Sequence, residues 1–158
     1  MATTRQALRG LREQVAASLK EMIPRVQKGK RFRERTETEQ QARDIADCTG
    51  AGAERLFDFS PARHVEGIAG RASDWFGSGT VAPTYRIDIQ ILYPRSPLWD
   101  DARADDEQQI AQLMRALPPA VPGVGLRVIE GFAEVELLDD KPWVVARLPL
   151  YTVLDVTP

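Results

Sequence analysis

Thr84-Tyr-Arg-Ile-Asp-Ile-Gln-Ile-Leu-Tyr-Pro94 carries the clearest alternation in the chain. Tyr85, Ile87, Ile89, Ile91 and Tyr93 recur at every second residue, with Arg86, Asp88 and Gln90 between them. A strand sends alternate side chains to opposite faces, so five large β-formers share one face and polar groups share the other. That pattern is a central strand with one buried face, and something apolar must cover it.

Two segments have the spacing to do so. Leu8, Leu11, Val15, Leu19 and Met22 or Ile23 step by three and four and form one stripe of a helix. Thr3 or Thr4 caps its start, and Pro24 ends it by excluding the preceding residue from helical geometry. A second helix is expected over about Asp105 to Leu117, with Ile110, Leu113, Met114 and Leu117 on its apolar side and Pro118-Pro119 as its stop. Asp105, Asp106 and Glu107 then crowd its first turn, where the helix dipole favours them. Arg55 to Pro61 reads as a short strand with Phe57 and Phe59 on one face. Gly125–Leu138 and Trp143–Val156 read as two more, joined at Asp139–Pro142. Pro149 lacks a donor and calls for an edge position or a bulge. The expected fold is α+β, with two helices packed on a twisted, mostly antiparallel sheet of about four to five strands. A single domain spans residues 1–158, with a basic arm over 25–36, a glycine-rich loop over 63–83 and a loop over Arg95–Asp101 that holds Trp99.

Composition sets the outer limits. With 43% apolar and 28% charged residues the chain is ordinary for a soluble globular protein. A net charge of −2 points the whole molecule at neither nucleic acid nor membrane. The charge is unevenly placed. Residues 1–43 hold 11 Lys and Arg against 5 Asp and Glu, so the remainder carries about −8. Cys48 is the only cysteine, which leaves no intrachain disulfide or thiolate metal site and suits a reducing compartment. The opening Met-Ala-Thr-Thr-Arg-Gln lacks the apolar core of a signal peptide, and no run nears the ~18 apolar residues of a membrane span. The expected setting is the cytoplasm, or a larger body assembled there.

Sites of chemistry are scarce. His64 is the only histidine and stands near Glu66 in a glycine-rich segment, without a nucleophile elbow anywhere and without a signature around Cys48. Asp100, Asp101, Asp105 and Asp106 cluster, but lack the glycine and closing glutamate of a calcium loop. They read as solvated loop and helix-start charge, or as a docking patch for a basic neighbour. The glycines in Thr49–Glu54 and Gly77–Thr80 match no phosphate loop and serve turns. No catalytic residue, cofactor or metal is expected, and the protein is read as a non-enzyme.

Arg25 to Arg35 is a different matter, with six cations in eleven residues: Arg25, Lys28, Lys30, Arg31, Arg33 and Arg35. Alternating cations can guard a sheet edge, meet an acidic neighbouring subunit, or touch nucleic-acid phosphates while Phe32 stacks on a base. Trp75, Trp99 and Trp143 fall in or beside loops, where tryptophan serves as a core lid or an interface anchor.

The order of helix Thr4–Ile23, strand Tyr85–Tyr93, helix Asp105–Leu117 and closing hairpin Leu126–Val156 resembles the tail terminators of tailed phages, also called tail completion or neck proteins. The resemblance implies subunits that form a hexameric ring on the tail tube, stop its polymerisation and join it to the head connector in the virion. In such a ring Lys28, Lys30, Arg31, Arg33 and Arg35 of one subunit would face Trp99, Asp100, Asp101, Asp105 and Asp106 of the next, or would line the channel where DNA passes. The alternative is a small ferredoxin-like module that binds a ligand or nucleic acid through its sheet face or its arm.

Overall fold

The structure, a computed structural model, describes residues 4–26, 31–36, 44–45, 55–65, 84–117, 124–129, 134–137 and 141–154. Among these, nine elements follow in order: helix α1 (Thr4–Glu21), strands β1 (Arg33–Glu34), β2 (Leu56–Phe59), β3 (Arg63–His64) and β4 (Thr84–Pro94), helix α2 (Trp99–Ala116), and strands β5 (Val124–Ile129), β6 (Glu134–Leu137) and β7 (Trp143–Leu154). The fold is the expected α+β arrangement of two helices on a mostly antiparallel sheet. Its seven strands exceed the expected four to five.

The excess has a simple geometry. Strands run in the order β1-β2-β4-β7-β5, with β3 also on β4 and β6 also on β7. β2 and β3 meet different lengths of the same side of β4, and β5 and β6 likewise share the outer side of β7. Two columns of the sheet are thus each made of two short strands. Only β1 against β2 is parallel among the described pairs.

β4 and β7 form the spine, paired without interruption from Thr84↔Val153 to Pro94↔Trp143. The stretch Gly125–Leu138, expected as one strand, holds β5 and β6, and residues 130–133 between them lie outside the described residues. The Asp88 amide donates to Ser60 Oγ and the Asp88 carbonyl accepts from the Ser60 amide, so the backbone of Asp88 faces β2 and β3. Its pair Asp88↔Pro149 is therefore one without ladder hydrogen bonds, and the donorless Pro149 nitrogen points at the outer column. Among the described residues β5 ends at Ile129↔Leu150 and β6 starts at Glu134↔Arg147, on either side of Pro149. Pro149 thus sits in a central strand rather than at an edge, and because its nitrogen faces away from β4 the missing donor costs the β4–β7 ladder no hydrogen bond.

Both helices cover one face. Leu8, Leu11, Val15 and Leu19 of α1 pack with Ile87, Ile89, Ile91 and Tyr93 of β4, Ile110 and Met114 of α2, and Leu148 and Leu150 of β7. Each of these buried side chains contributes about 1.5–3 kcal/mol relative to exposure. The other face of β4 is polar at Arg86, Asp88 and Gln90, as its alternation requires, but Leu92 there joins Ile45, Leu56 and Val145 in a small second core under Trp143.

α2 begins six residues before the expected Asp105. Its inward stripe is Trp99, Ala102, Asp106, Ile110 and Met114, so a carboxylate occupies a position where an apolar residue is the norm. Trp99 opens the helix and packs on the core instead of standing in a loop, and the first-turn acids are Asp100 and Asp101.

Candidate functional site

A groove of about 670 Å³ lies where α1 passes the β1 edge of the sheet. Arg9, Arg12, Glu13, Ala16, Ala17 and Lys20 recur at three- and four-residue steps and so form one wall from a single face of α1. Glu34, Arg35, Asp58 and Phe59 from β1, its end and β2 form the other. Three of the four cations are matched by ion pairs: Arg9–Glu13 at 3.2 Å, Lys20–Glu34 at 2.8 Å and Arg35–Asp58 at 2.8 Å. Arg12 is the fourth. Its Nη2 donates to the Ser60 carbonyl at 3.4 Å, and it pairs with no carboxylate among the described residues. Burial lowers its pKa, the effect of moving a cation out of water without a counter-charge. The groove therefore holds a half-buried guanidinium over a floor of Ala16, Ala17 and Phe59.

The residues expected at an interface are only partly gathered here. Arg35 lines the groove but is buried and held by Asp58, which also accepts from Gln90 at 2.8 Å. Burial raises the Asp58 carboxyl against the opposing pull of Arg35 and Gln90. Arg33 pairs with Leu56 in β1, the first strand of the sheet order. Arg31 instead reaches back to the carbonyls of Lys20 and Glu21, both at 3.0 Å, and closes the end of α1. Phe32 is buried edge-on against Phe57, with centroids 6.2 Å apart, and so cannot offer its ring to a base. Lys28, Lys30, Cys48, Glu66, Trp75 and the glycines of both candidate loops lie outside the described residues.

The acidic set is dispersed. Asp100 pairs with Arg103 at 3.0 Å, Asp105 with Arg25 at 3.2 Å, and Asp101 is exposed. The Arg25–Asp105 bridge is the contact between basic arm and acidic segment that a ring is expected to make between subunits, formed here inside one chain. Asp106 departs furthest from expectation: it is fully buried, at neither the helix start nor an accessible surface. Arg55 Nε donates to its Oδ2 at 2.8 Å, Arg55 Nη2 to its Oδ1 at 3.2 Å, and Tyr93 Oη to its Oδ2 at 2.8 Å. Arg55 is itself buried, also donates to the Val26 carbonyl, and lies 5.8 Å from the centroid of the Phe32 ring. Its backbone has φ 54°, a left-handed conformation costing a non-glycine residue about 1–2 kcal/mol. The triad fastens α2 to β4 and to the strand that follows Arg55. Burial raises both the Asp106 carboxyl and, strongly, the Tyr93 hydroxyl, while Arg55 pulls each the other way. A purely apolar criterion for core positions misses Asp106; its place four residues before Ile110 on the stripe is the available signal.

Across the polar sheet face a chain of contacts runs from Arg35 through Asp58 and Gln90 to Arg147, then to Glu136 at 2.6 Å. It consumes Gln90, and Arg86 is likewise taken by Asp88 at 2.8 Å. The far edge of the sheet differs. Every residue of β6 is exposed, including Val135 at 39% and Leu137 at 59%, and the Glu134 side chain is 70% exposed with Arg86 at 3.6 Å. His64 stands exposed in β3, edge-on to Tyr85. Among the described residues no three His, Cys, Asp or Glu are grouped to hold a metal, and no helix is long and apolar enough to cross a membrane.

Comparison with protein-family models, with curated proteins and with solved structures found no match.

Proposed function

We propose that the protein is a structural assembly subunit that closes into a ring, of the kind that caps a phage tail tube and joins it to the head connector. The observation that carries this reading is the unlike chemistry of the two sheet edges. One edge offers the groove with Arg12, which has no carboxylate among the described residues; the other offers Glu134, Glu136 and exposed Val135 and Leu137. Unlike patches on opposite sides of one molecule make head-to-tail contacts, and such contacts build rings when the rotation closes. The order of elements that resembles tail terminators adds to this. In that role the protein works by shape, without catalysis or cofactor, as a hexamer between tube and connector, in a virion assembled in host cytoplasm, with DNA passing through its channel.

Negative-stain electron microscopy of the purified chain tests the reading. Rings with an open centre are expected, together with length-limited tubes when the chain is added to polymerising tube subunits. Unassembled particles and tubes of unchanged length would contradict it.

The groove also favours a second reading, a small ferredoxin-like module whose Arg12 takes an anionic ligand. Nucleic acid bound through the arm has less support, because Arg25, Arg31 and Arg35 are spent on internal contacts. A monomer that shows a salt-dependent shift with phosphate or DNA would select this alternative.

A further inference from the structure

We infer that the β6 edge of one copy seats in the α1–β1 groove of the next, with Glu134 of the first paired to Arg12 of the second. The inference rests on the ring reading and gives it a specific contact.

Three features select these partners. Among the described residues Arg12 has lost water and gained only a 3.4 Å carbonyl contact, while the other groove cations are each within 3.2 Å of a carboxylate. A carboxylate from outside would complete its coordination, with the planar fork of a guanidinium favouring two parallel bonds. Glu134 is the matching acid because it is the less committed one on β6: 70% exposed and 3.6 Å from Arg86, whereas Glu136 is bound by Arg147 at 2.6 Å. The apolar parts match as well. Val135 and Leu137 alternate with the glutamates on an edge strand that has a neighbour, β7, on one side among the described residues. The groove meets them with Ala16, Ala17 and Phe59, small side chains that leave room for a leucine and one ring to cover it.

The contact is heterologous. Groove and β6 lie toward opposite ends of the strand order, so each copy uses both, once on either side. Arg12 is half-buried and the Glu134 side chain is 70% exposed, so closing the contact buries both, and losing one charge then leaves the other unmatched.

The test is a charge exchange read by light scattering. Arg12→Glu alone places two acids in contact and Glu134→Arg alone places two cations, so each is expected to weaken assembly at least about thirty-fold. Mixed in equal amounts, the two variants set an acid against a guanidinium at every contact of an alternating ring: the two introduced side chains meet each other, and so do the two native ones. Recovery of the wild-type multimer in the mixture is the expected result. Failure of the mixture, with both variants folded by circular dichroism, overturns the pairing. Glu134→Arg, on an exposed side chain, decides the matter by itself if Arg12→Glu impairs folding: assembly equal to wild type overturns the pairing but leaves the ring. A wild-type chain that never assembles overturns both.

Discussion

Asp106→Leu leaves Arg55 buried, at 1% side-chain exposure, without the carboxylate that holds it at 2.8 Å. Arginine stays charged at any accessible pH, so the variant cannot relieve itself by losing a proton. Breaking such a pair from this side costs about 3–5 kcal/mol, a large part of the stability of a domain this size. The urea midpoint should fall by roughly 1–3 M. The reverse cut is milder. Arg55→Met leaves Asp106, whose carboxyl burial already pushes upward, and that group can take up a proton. In this variant the folded state binds a proton that the unfolded chain does not, so stability should rise as pH falls from neutral toward the ordinary carboxyl range. The triple variant Arg55→Met/Asp106→Leu/Tyr93→Phe removes both charges and the hydroxyl that donates to Asp106, and should recover part of the loss. Urea unfolding followed by circular dichroism at several pH values reads all of this. An Asp106→Leu loss below about 1 kcal/mol, or a pH-independent Arg55→Met loss, would mean that Asp106 is not the counter-charge of a buried Arg55.

Other outcomes follow from single contacts. Leu11→Ala, at a core position 1% exposed, should cost about 2–5 kcal/mol in the same denaturation assay. Arg31→Ala frees the Lys20 and Glu21 carbonyls at the end of α1 and should cost about 0.3–1 kcal/mol, visible as faster amide exchange in the last turn. Asp58 is raised by burial, so the folded state holds its proton more tightly than the unfolded chain. The stability of wild type relative to Asp58→Asn should therefore increase as pH falls; a decrease would mean that the Arg35 pairing outweighs burial.

Much of this architecture is legible in the sequence because period and burial agree. The alternation in Thr84–Pro94 and the stripe Leu8, Leu11, Val15, Leu19 each name their buried face, and those faces meet in the core. Pattern reading falls short where a polar residue takes an apolar place. Asp106 interrupts the α2 stripe, which sets the expected helix start too late and makes a buried counter-ion look like a surface acid. Arg55 hides in the same way, since no local pattern pairs it with a residue 51 positions on. The basic arm is visible as charge, but its partners depend on tertiary folding: Arg25 finds Asp105, Arg31 finds a helix end and Arg35 finds Asp58. By sequence Arg12 is one more cation on the polar face of a helix. What distinguishes it is a neighbouring strand edge whose acids, Glu34 and Asp58, are already paired to Lys20 and Arg35.

If unlike sheet edges drive closed assembly, native mass spectrometry of the wild-type chain across a concentration series should see the ring form. One closed multimer, expected to be the hexamer, should replace the monomer as concentration rises, with few species between. A monomer at every concentration, or an open ladder of ever longer species, would rule out closure through these edges.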